Sequence, residues 1–480
     1  MDILQNFIDG CYQDPINKNY LDNIEPATGL VYGQTPNSCL NDVELAVSAA
    51  EKALPQWQAT PLEQRADTLY AIAQGIESQL HELALAESID NGKPISLAKT
   101  VDIPRAASNF KFFAHACSQF ASESHPMTGT ATNYTLRQPI GIVGCISPWN
   151  LPLYLFTWKI APALAAGNCV IAKPSEVTPK TAALLGAICQ TAGLPKGVLN
   201  ILHGTGENVG SAICNHKKIK AISFTGGTST GAVIATQLAP QFKKLSLELG
   251  GKNPALVFAD CDFDATVDQI FRASFANQGQ ICLCASRIYV ERTIYEKFKQ
   301  ALVKKTQDLQ PKDPLSQSSQ MGAIVSKAHL EKVLGYIELA KSEGGKVLTG
   351  GEQVHLTERC AKGYFLQPTI IEGLANHAQC NQEEIFGPVI TLQAFDSDDE
   401  ALSLANDSQY GLAATLWTNN LSRAHRLAEQ LNTGIVWVNC WLLRDLRTPF
   451  GGMNNSGVGR EGGFEAMRFF TESKNICIKY

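Results

Sequence analysis

A cysteine and a glutamate stand where side chains of these types could react together. Cys282 follows a glycine-containing turn at residues 275–282, which can expose the thiolate, the reactive form of the side chain. Glu248 lies in an alternating segment, 245–251, whose final glycines place it at a sheet edge, where open α/β sheets hold ligands. A carboxylate near a cysteine could act as its general base. Cys284 is a rival nucleophile, and the same patterns also fit a buried structural cysteine and a salt-bridged surface glutamate.

Two glycine-rich loops have the composition of phosphate-binding turns. The loop at residues 204–210 reads GxGxxxG and includes Gly206 and Gly210, but it is one residue longer than the usual dinucleotide fingerprint. The loop at residues 224–231 follows a predicted strand and opens a predicted helix, the context in which a helix N-terminus holds an anion. Each loop also fits an ordinary turn.

A third segment could distinguish between two related nucleotides. Lys173, Ser175 and Glu176 stand at the end of a predicted strand. An acidic residue in this position can accept hydrogen bonds from the adenosine ribose hydroxyls, and it repels a 2′-phosphate. Glu176 therefore favours NAD over NADP.

These segments need a scaffold, and the hydrophobic pattern predicts an α/β fold with a parallel, doubly wound sheet. Short apolar runs alternate with segments of helical spacing, in the order strand 140–146, helix 152–166, strand 169–173, helix 178–193, strand 198–203, helix 209–215, strand 221–225 and helix 231–238. The first hundred residues are predicted to be mainly helical, with helices at 42–54 and 62–91. A second alternating stretch covers 253–450, and 470–480 predicts an exposed strand with 131–136 as its partner.

The overall composition limits the classes of function. At about 150 residues per domain, a chain of 480 residues predicts roughly three domains. The net charge of −5 provides no basic field for nucleic acid or an anionic membrane, so neither partner is expected. The fourteen cysteines are scattered and the histidines show no HxxxH spacing, so we expect no metal site.

The predicted location of the protein is the cytoplasm. The start of the chain has neither the basic region nor the apolar region of a signal peptide. The most membrane-like stretch, 151–172, is interrupted by a lysine and two prolines, which argues against a membrane span. Scattered cysteines, well below the density of a disulfide scaffold, fit a reducing compartment.

Taken together, the ordered motifs resemble the aldehyde dehydrogenase family over nearly the whole chain. They are SPWN at 147–150, KPSE at 173–176, FTG at 224–226, LELGG at 247–251, GQIC at 279–282, EEIFGP at 383–388, FGG at 450–452, SG at 456–457 and GRE at 459–461. The resemblance implies a Rossmann-like NAD-binding domain formed by 1–118 and 141–250, an α/β catalytic domain at 251–450, and small β oligomerisation segments at 119–140 and 451–480. It also implies a homodimer or homotetramer.

The resemblance assigns a role to each matched residue. Cys282 is the nucleophile and Glu248 the general base, the Asn150 amide forms the oxyanion hole with the Cys282 backbone N–H, and Lys159 and Glu461 are linked to proton relay. The implied NAD contacts are Ser147, Trp149, Lys173, Ser175, Glu176, Gly206, Gly210, Phe224, Thr225, Gly226, Gly227, Thr228, Leu249, Glu384 and Phe386. The chain departs from the family pattern at Gly227, where many relatives have serine, and at Asn454, where lysine is common; Cys284 stands where relatives often have a small residue. The implied reaction is thiolate attack on an aldehyde, hydride transfer to NAD and hydrolysis of a thioester.

A narrower resemblance concerns the substrate. Residues 149–159 and 439–450 are similar to the segments of dehydrogenases that act on 2-aminomuconate and 2-hydroxymuconate 6-semialdehydes. An aldehyde with a distant carboxylate needs a cation in its pocket, and arginine pairs bidentately with carboxylates. We expect Arg444 and Arg105 to form this clamp, with Arg447 as an alternative and Asp445 as a residue that could neutralise either.

Three other functions compete with this interpretation. The same machinery could serve another aldehyde, such as retinal or betaine aldehyde. A relative that transfers the acyl group to coenzyme A is disfavoured by Glu248, which suits hydrolysis. A catalytically silent binding or structural protein is disfavoured because Cys282, Glu248 and Asn150 are all present. The sequence does not separate the amino from the hydroxy substrate, since both carry the same aldehyde and carboxylate.

Overall fold

Two large sheets form the centre of the fold in the computed structural model, which describes residues 2–480. In the first sheet, five parallel strands lie side by side and short antiparallel strands flank them. Their order across the sheet is Gly457–Val458, Lys244–Glu248, Ile219–Thr225, Ile142–Ile146, Cys169–Lys173, Leu199–Ile201, Asn6–Ile8 and Cys11–Gln13. The strands Ile142–Ile146 and Cys169–Lys173 are buried throughout, as expected for a parallel sheet covered on both faces.

The register of the first sheet brings the segments predicted to bind the nucleotide to the carboxyl ends of neighbouring strands. Ile146 pairs with both Phe224 and Lys173, and Thr225 pairs with Glu248. Because parallel strands end on the same side, the segments that follow these residues leave the sheet together. Most of the residues expected to bind NAD are thereby brought to the carboxyl ends of these strands, whereas Glu384 and Phe386 precede a strand of the second sheet.

The second sheet contains seven strands and is parallel except at one end. Its order is Lys346–Thr349, Thr369–Glu372, Val389–Phe395, Ala285–Glu291, Asn253–Val257, Ala413–Trp417 and Ile435–Val438. Two further small sheets are formed by Asp2–Ile3 with Leu30–Pro36 and Tyr20–Glu25, and by Gln353–Val354 with Phe365–Leu366. The predicted α/β fold class is confirmed.

Helices connect and cover the strands. In the first half they are Leu40–Ala59, Leu62–Ser78, Leu80–Asn91, Ile95–Leu97, Ile103–Cys117, Pro152–Ala165, Lys180–Thr191, Ser211–Asn215 and Thr228–Leu238. In the second half they are Phe263–Phe275, Arg292–Asp308, Lys327–Ser342, Gln379–Gln382, Asp398–Asn406, Leu421–Gln430 and Gly463–Phe469. None of the helices found in residues 2–480 has the length and apolar character needed to cross a bilayer.

A separate antiparallel sheet of three strands is formed by Thr471–Lys479, Ala131–Pro139 and Ser124–Met127. The first of these lies at the edge and is mostly exposed. The predicted terminal strand and its predicted partner are both confirmed. The neighbouring pair Gly457–Val458 belongs instead to the first sheet, although it falls within the segment 451–480 that the sequence assigned to oligomerisation.

Helices occupy most of the first hundred residues from Leu40 onward, as predicted, but two details differ. Five strands occupy the first 36 residues, which were expected to be part of a mainly helical region: Asp2–Ile3, Asn6–Ile8, Cys11–Gln13, Tyr20–Glu25 and Leu30–Pro36. They are two to seven residues long, too short to establish a clear alternation. The predicted helix 62–91 is divided at Gln79, whose φ of −105° and ψ of 20° are not helical.

Other predicted boundaries shifted by a few residues. The predicted helix at 209–215 consists of a π-helical turn, Gly206–Gly210, followed by Ser211–Asn215. The helix expected from residue 231 already begins at Thr228. The second glycine loop is therefore shorter than its sequence suggests, and more backbone N–H groups belong to a helix N-terminus.

Candidate active site

The helix Phe263–Phe275 and the turn after it position the predicted nucleophile. Asp262 caps the helix, since its Oδ1 accepts a hydrogen bond from the Ala265 N–H at 3.4 Å. After the turn, Cys282 is partly exposed and borders two cavities, whereas Cys284 is buried and borders neither of them. Of the two candidate cysteines, the structure leaves Cys282 accessible.

A direct contact between two backbone segments fixes the position of the turn before Cys282. Gly279 has a φ of +68°, and a Cβ added there would overlap with the carbonyl oxygen of Gly387. Only glycine allows both the left-handed conformation and this approach. The turn before Cys282 therefore packs directly against the backbone of the segment that follows Phe386.

Two cavities meet at Cys282. The arginine-lined cavity, of about 280 Å³, has Arg105, Arg272, Arg444, Glu248 and Glu461 among its walls. The glycine-lined cavity, of about 220 Å³, has Trp149, Asn150, Gly226, Gly227, Leu249, Gly250, Glu384 and Phe386 among its walls. Thr225 and Cys282 border both cavities. A carbonyl carbon in the first cavity and a redox group in the second can therefore both approach the Cys282 thiol.

Glu248 is a buried carboxylic acid rather than a surface glutamate in a salt bridge. It is 3% exposed, and neither carboxyl oxygen has a hydrogen-bond partner among the described residues. Burial raises the pKa of Glu248 well above its ordinary value, and the nearby Glu461 carboxylate raises it further. A carboxylate with a raised pKa is a stronger base once it is ionised.

Lys159 and Glu461 form a buried ion pair at 2.6 Å. Lys159 Nζ also donates to Ser223 Oγ at 3.1 Å, and Ser223 Oγ donates to Glu461 Oε1 at 2.9 Å. The second oxygen of Glu461 has no partner among residues 2–480. The two residues are thus in direct contact, and Glu461 also borders the arginine-lined cavity.

The surroundings of the Cys282 thiol disfavour its thiolate form. Burial raises the pKa of Cys282 above its ordinary value, and the carboxylates of Glu384 and Glu248 raise it further. Arg444 acts in the opposite direction but has the smallest effect of those named. A thiol of this kind needs a base to become the reactive thiolate.

Asn150 lies beside Cys282, on the glycine-lined side. It is 2% exposed, and its Nδ2 donates one hydrogen bond to the carbonyl oxygen of Gln280 at 3.0 Å. An amide nitrogen carries two hydrogens, so one N–H remains for another acceptor. An oxygen on a carbon attacked by Cys282 would be such an acceptor.

The predicted adenosine-binding residues lie at the edge of the first sheet. Lys173 Nζ donates to the carbonyl oxygen of Pro174 and to Glu176 Oε2, both at 3.0 Å, and the Glu176 side chain is 35% exposed. Ser175 uses its Oγ to accept a hydrogen bond from the Val177 N–H. Gly206 and Gly210 bound the adjacent π-helical turn, where a Cβ on Gly210 would be 3.9 Å from Lys173 Cδ.

The helix Thr228–Leu238 begins beside the same edge, with Gly227 as its N-cap. A Cβ added to Gly227 would meet no atom within 4 Å, so the space beside this helix N-terminus is open, and Gly227 borders the glycine-lined cavity. In addition, Ser147 Oγ and Thr225 Oγ1 are buried without a hydrogen-bond partner among the described residues. A pyrophosphate at this helix N-terminus fits both observations.

The far wall of the glycine-lined cavity is built around Phe386, which adopts a left-handed φ of 61°. Its ring packs edge-to-face against Trp149 at 5.2 Å. Sequence reasoning missed His329, whose Nε2 lies 2.7 Å from the Phe386 carbonyl oxygen and whose ring contacts Trp149. The only signal for His329 was its place in the first turn of a helix, which carries no information about this partner.

Glu384 is fixed beside the same cavity. Its Oε1 accepts a hydrogen bond from the Gly251 N–H at 2.9 Å, and any Cβ on Gly250 would overlap with its Oε2. Burial raises the pKa of Glu384 to about 7. A cavity lined by aromatic rings, a carboxyl group and the glycines before a helix N-terminus fits a dinucleotide, so the residues present suit NAD.

The sequence left open whether Arg444 or Arg447 lines the substrate cavity, and the structure places Arg444 there. Arg444 donates to the Tyr154 hydroxyl at 2.6 Å and lies over the rings of Phe450 and Trp158. Arg447 is highly exposed, does not border the cavity, and pairs with Asp445 at 2.5 Å. Asp445 therefore neutralises Arg447 rather than Arg444.

Two further arginines complete this wall. Arg105 forms no ion pair or side-chain hydrogen bond within residues 2–480. Arg272 was missed by sequence reasoning, because it stands in the last turn of a helix with no motif around it. It is exposed, borders this cavity and two neighbouring grooves, and has no acidic partner in the described part of the chain.

Comparisons with known proteins agree with this geometry. The model of the aldehyde dehydrogenase family matches residues 12–476. A mouse 2-aminomuconic semialdehyde dehydrogenase is 49% identical over 481 residues, covering 100% of this chain and 98% of the relative. A 2-hydroxymuconic semialdehyde dehydrogenase from Pseudomonas sp. (strain CF600) is 46% identical and covers 99% of both chains. The NAD⁺ complex of a Bacillus cereus aldehyde dehydrogenase superposes with a TM-score of 0.97 at 37% identity, covering 100% of this chain and 97% of that one.

The chain belongs to the aldehyde dehydrogenase family. It is an oxidoreductase that uses NAD and acts on the aldehyde group of a small molecule. The family, fold class, cofactor and general reaction predicted from the motifs are confirmed.

Proposed function

We propose that the protein oxidises 2-aminomuconate 6-semialdehyde, or its 2-hydroxy counterpart, to the corresponding dicarboxylic acid. The observation that carries this proposal is the wall formed by Arg105, Arg272 and Arg444 around a cavity that ends at Cys282. A short chain with an aldehyde at one end and a carboxylate at the other would extend from the thiol to these cations. The names of the relatives described above support the same substrates.

The proposed reaction assigns one task to each buried group. Glu248 takes the proton of Cys282, and the thiolate forms a bond to the aldehyde carbon. The resulting oxyanion accepts hydrogen bonds from Asn150 Nδ2 and the Cys282 backbone N–H, each worth roughly 3–4 kcal/mol in comparable sites. NAD, when bound in the glycine-lined cavity, supplies the hydride acceptor. Glu248 then activates the water that releases the acid from Cys282, while Lys159 and Glu461 provide a route for its proton.

Other residues of the glycine-lined cavity and the sheet edge are assigned to the cofactor. Lys173 and Glu176 hold the adenosine ribose, and the N-terminus of the helix Thr228–Leu238 faces the pyrophosphate. Trp149, Glu384 and Phe386 border the space for the nicotinamide riboside. The remaining assigned contacts, which line or support the same edge, are Ser147, Ser175, Gly206, Gly210, Phe224, Thr225, Gly226, Gly227 and Leu249.

The domains keep the roles implied by the family resemblance. Residues 1–118 and 141–250 form the NAD-binding domain, 251–450 the catalytic domain, and 119–140 with 451–480 carry the oligomerisation segments. The outer edge of the strand Thr471–Lys479 offers unpaired backbone groups to another subunit, which supports a homodimer or homotetramer. Light scattering tests the assembly, and a monomer would contradict it.

Fourteen free cysteines, all within the described residues, support a reducing location, and we assign the enzyme to the cytoplasm. Fractionation of cells that produce the protein tests this assignment. Recovery of the full-length chain from an oxidising compartment would contradict it.

An assay of NADH formation tests the substrate. The two muconate semialdehydes are compared with a long-chain aldehyde that carries no charge. The proposal expects kcat/KM for the carboxylated substrates to be at least tenfold higher. Equal kcat/KM values for all three aldehydes would contradict the proposal that the arginines bind the substrate carboxylate.

A further inference from the structure

The loop that carries Cys282 and the loop that carries Asn150 are tied together by reciprocal hydrogen bonds. Asn277 Nδ2 donates to the carbonyl oxygen of Asn150 at 3.0 Å and to that of Gln280 at 3.4 Å. Asn150 Nδ2 donates in the other direction, to the same Gln280 carbonyl, at 3.0 Å. Each loop thus anchors its amide side chain on the backbone of the other.

The backbone around Asn277 is held in an unusual conformation. Asn277 and Gln278 have φ values of 49° and 55°, in the left-handed region that residues with a side chain adopt only at an energetic cost. The Gln280 N–H closes the turn on the Asn277 carbonyl at 2.9 Å. The Gln278 side chain fixes it from outside, with bonds to the backbone of Gly322 and Ala323. Strained turns of this kind persist where surrounding contacts enforce them, often near functional sites.

This hydrogen-bond network determines the direction of the second N–H of the Asn150 amide. One N–H of Asn150 is engaged by the Gln280 carbonyl, so the direction of the second N–H depends on where that carbonyl lies. Asn277 contacts the Gln280 carbonyl and the Asn150 backbone at once, and it is only 1% exposed. A shift of either loop would move the free N–H away from the Cys282 thiol.

We propose that Asn277 is a positioning residue for aldehyde oxidation, which keeps the free N–H of Asn150 in register with Cys282. This inference rests on the proposed role of Asn150 as an oxyanion donor. Asn277 borders neither of the two cavities that meet at Cys282, so it acts through Asn150. Displacement of a catalytic group by about 1 Å can lower the rate about 100-fold, so loss of the Asn277 hydrogen bonds should lower turnover measurably.

The test compares two buried asparagines. Asn277→Gly removes the amide and keeps the left-handed backbone accessible, and Asn277→Asp serves if the glycine variant does not fold. Asn168→Gly is the matched control. Asn168 is likewise buried and donates to two carbonyl oxygens, those of Ala163 and Phe470, but it borders neither cavity. We expect a fall of 10- to 100-fold in kcat for the Asn277 variant, with KM for NAD unchanged, and a change of less than twofold in kcat per folded molecule for the control.

A second readout separates the oxyanion donor from the nucleophile. Iodoacetamide alkylates a thiolate without forming an oxyanion, and the modified Cys282 peptide can be followed by mass spectrometry. The alkylation rate of Cys282 should stay within twofold of wild type in the Asn277 variant. A parallel fall in alkylation and turnover would overturn the proposal, as would equal losses of kcat in the Asn277 and Asn168 variants. If Asn150→Ala keeps full turnover, the proposed role of Asn150 fails; if it loses turnover while the Asn277 variant does not, only the present inference fails.

Discussion

The guanidinium group of Arg444 donates a hydrogen bond to the hydroxyl of Tyr154, although the two residues are 290 positions apart. This bond joins the helix Pro152–Ala165 to the loop after Ile435–Val438, across the arginine-lined cavity. It also orients Arg444 while leaving the other guanidinium N–H groups for a ligand.

Arg444→Ala should raise KM for the carboxylated semialdehyde roughly 10- to 100-fold, because a hydrogen bond to a charged group contributes about 1.5–3 kcal/mol. An uncharged aldehyde should be affected far less. Arg447→Ala is the matched control, since Arg447 is paired with Asp445 outside the cavity. Steady-state kinetics with both aldehydes decides, and equal losses on the two substrates would refute the clamp.

Arg272 is exposed at the place where the cavity meets two surface grooves, so we expect it to act on substrate capture. Arg272→Gln should lower kcat/KM for the carboxylated substrate several-fold at low ionic strength and leave kcat unchanged. The difference from wild type should shrink as salt is added, because salt screens exposed charges. An unchanged salt dependence would assign Arg272 no role in capture.

The candidate site residues border one cavity, and the sequence singled them out because they lie in short ordered segments. Cys282, Glu248 and Thr225 each follow or end an apolar strand or a glycine turn, and such local patterns are legible in a single chain. Arg272 and His329 were missed since their surroundings come from segments distant in the chain. The short N-terminal strands were missed for a related reason: Asn6–Ile8 is stabilised by pairing with Leu199–Ile201, a contact that no local pattern encodes.

Cys282→Ser should reduce turnover by several orders of magnitude, because the hydroxyl is a far weaker nucleophile than the thiolate. Cys284→Ser should keep most of the activity, since Cys284 borders neither the arginine-lined nor the glycine-lined cavity. Turnover normalised to the folded fraction is the measurement. Loss of activity in the Cys284 variant alone would exchange the roles of the two cysteines.

The pH profile should report the buried carboxyl group. Because burial raises the pKa of Glu248, its base form is lost as the pH falls through a value well above that of an ordinary glutamate. We therefore expect kcat/KM to rise with pH at values above the range in which an ordinary glutamate titrates. Glu248→Gln should lower kcat by roughly 100-fold or more and leave a rise only at alkaline pH, where Cys282 ionises unaided. A flat profile for the wild type would contradict a base with a raised pKa.

Glu176→Gln should increase the use of NADP. The change removes the charge that repels a 2′-phosphate and releases Lys173, which is 3.0 Å from Glu176 Oε2 in the structure. The ratio of kcat/KM for NADP to that for NAD should rise tenfold or more. Glu207→Gln, at an exposed glutamate in the other glycine loop, should leave the ratio unchanged. If Glu176→Gln and Glu207→Gln gave the same ratio, the adenosine ribose would not bind beside Glu176.

The contact between Gly279 and Gly387 has a consequence for how such an enzyme can diversify. Two main chains touch there with no room for a methyl group, so no side chain can be added at Gly279 without displacing the turn that precedes Cys282. The arginine wall is made of side chains on separate elements and is free to vary. New substrates can therefore be acquired by exchanging the wall alone, while the chemistry is inherited unchanged.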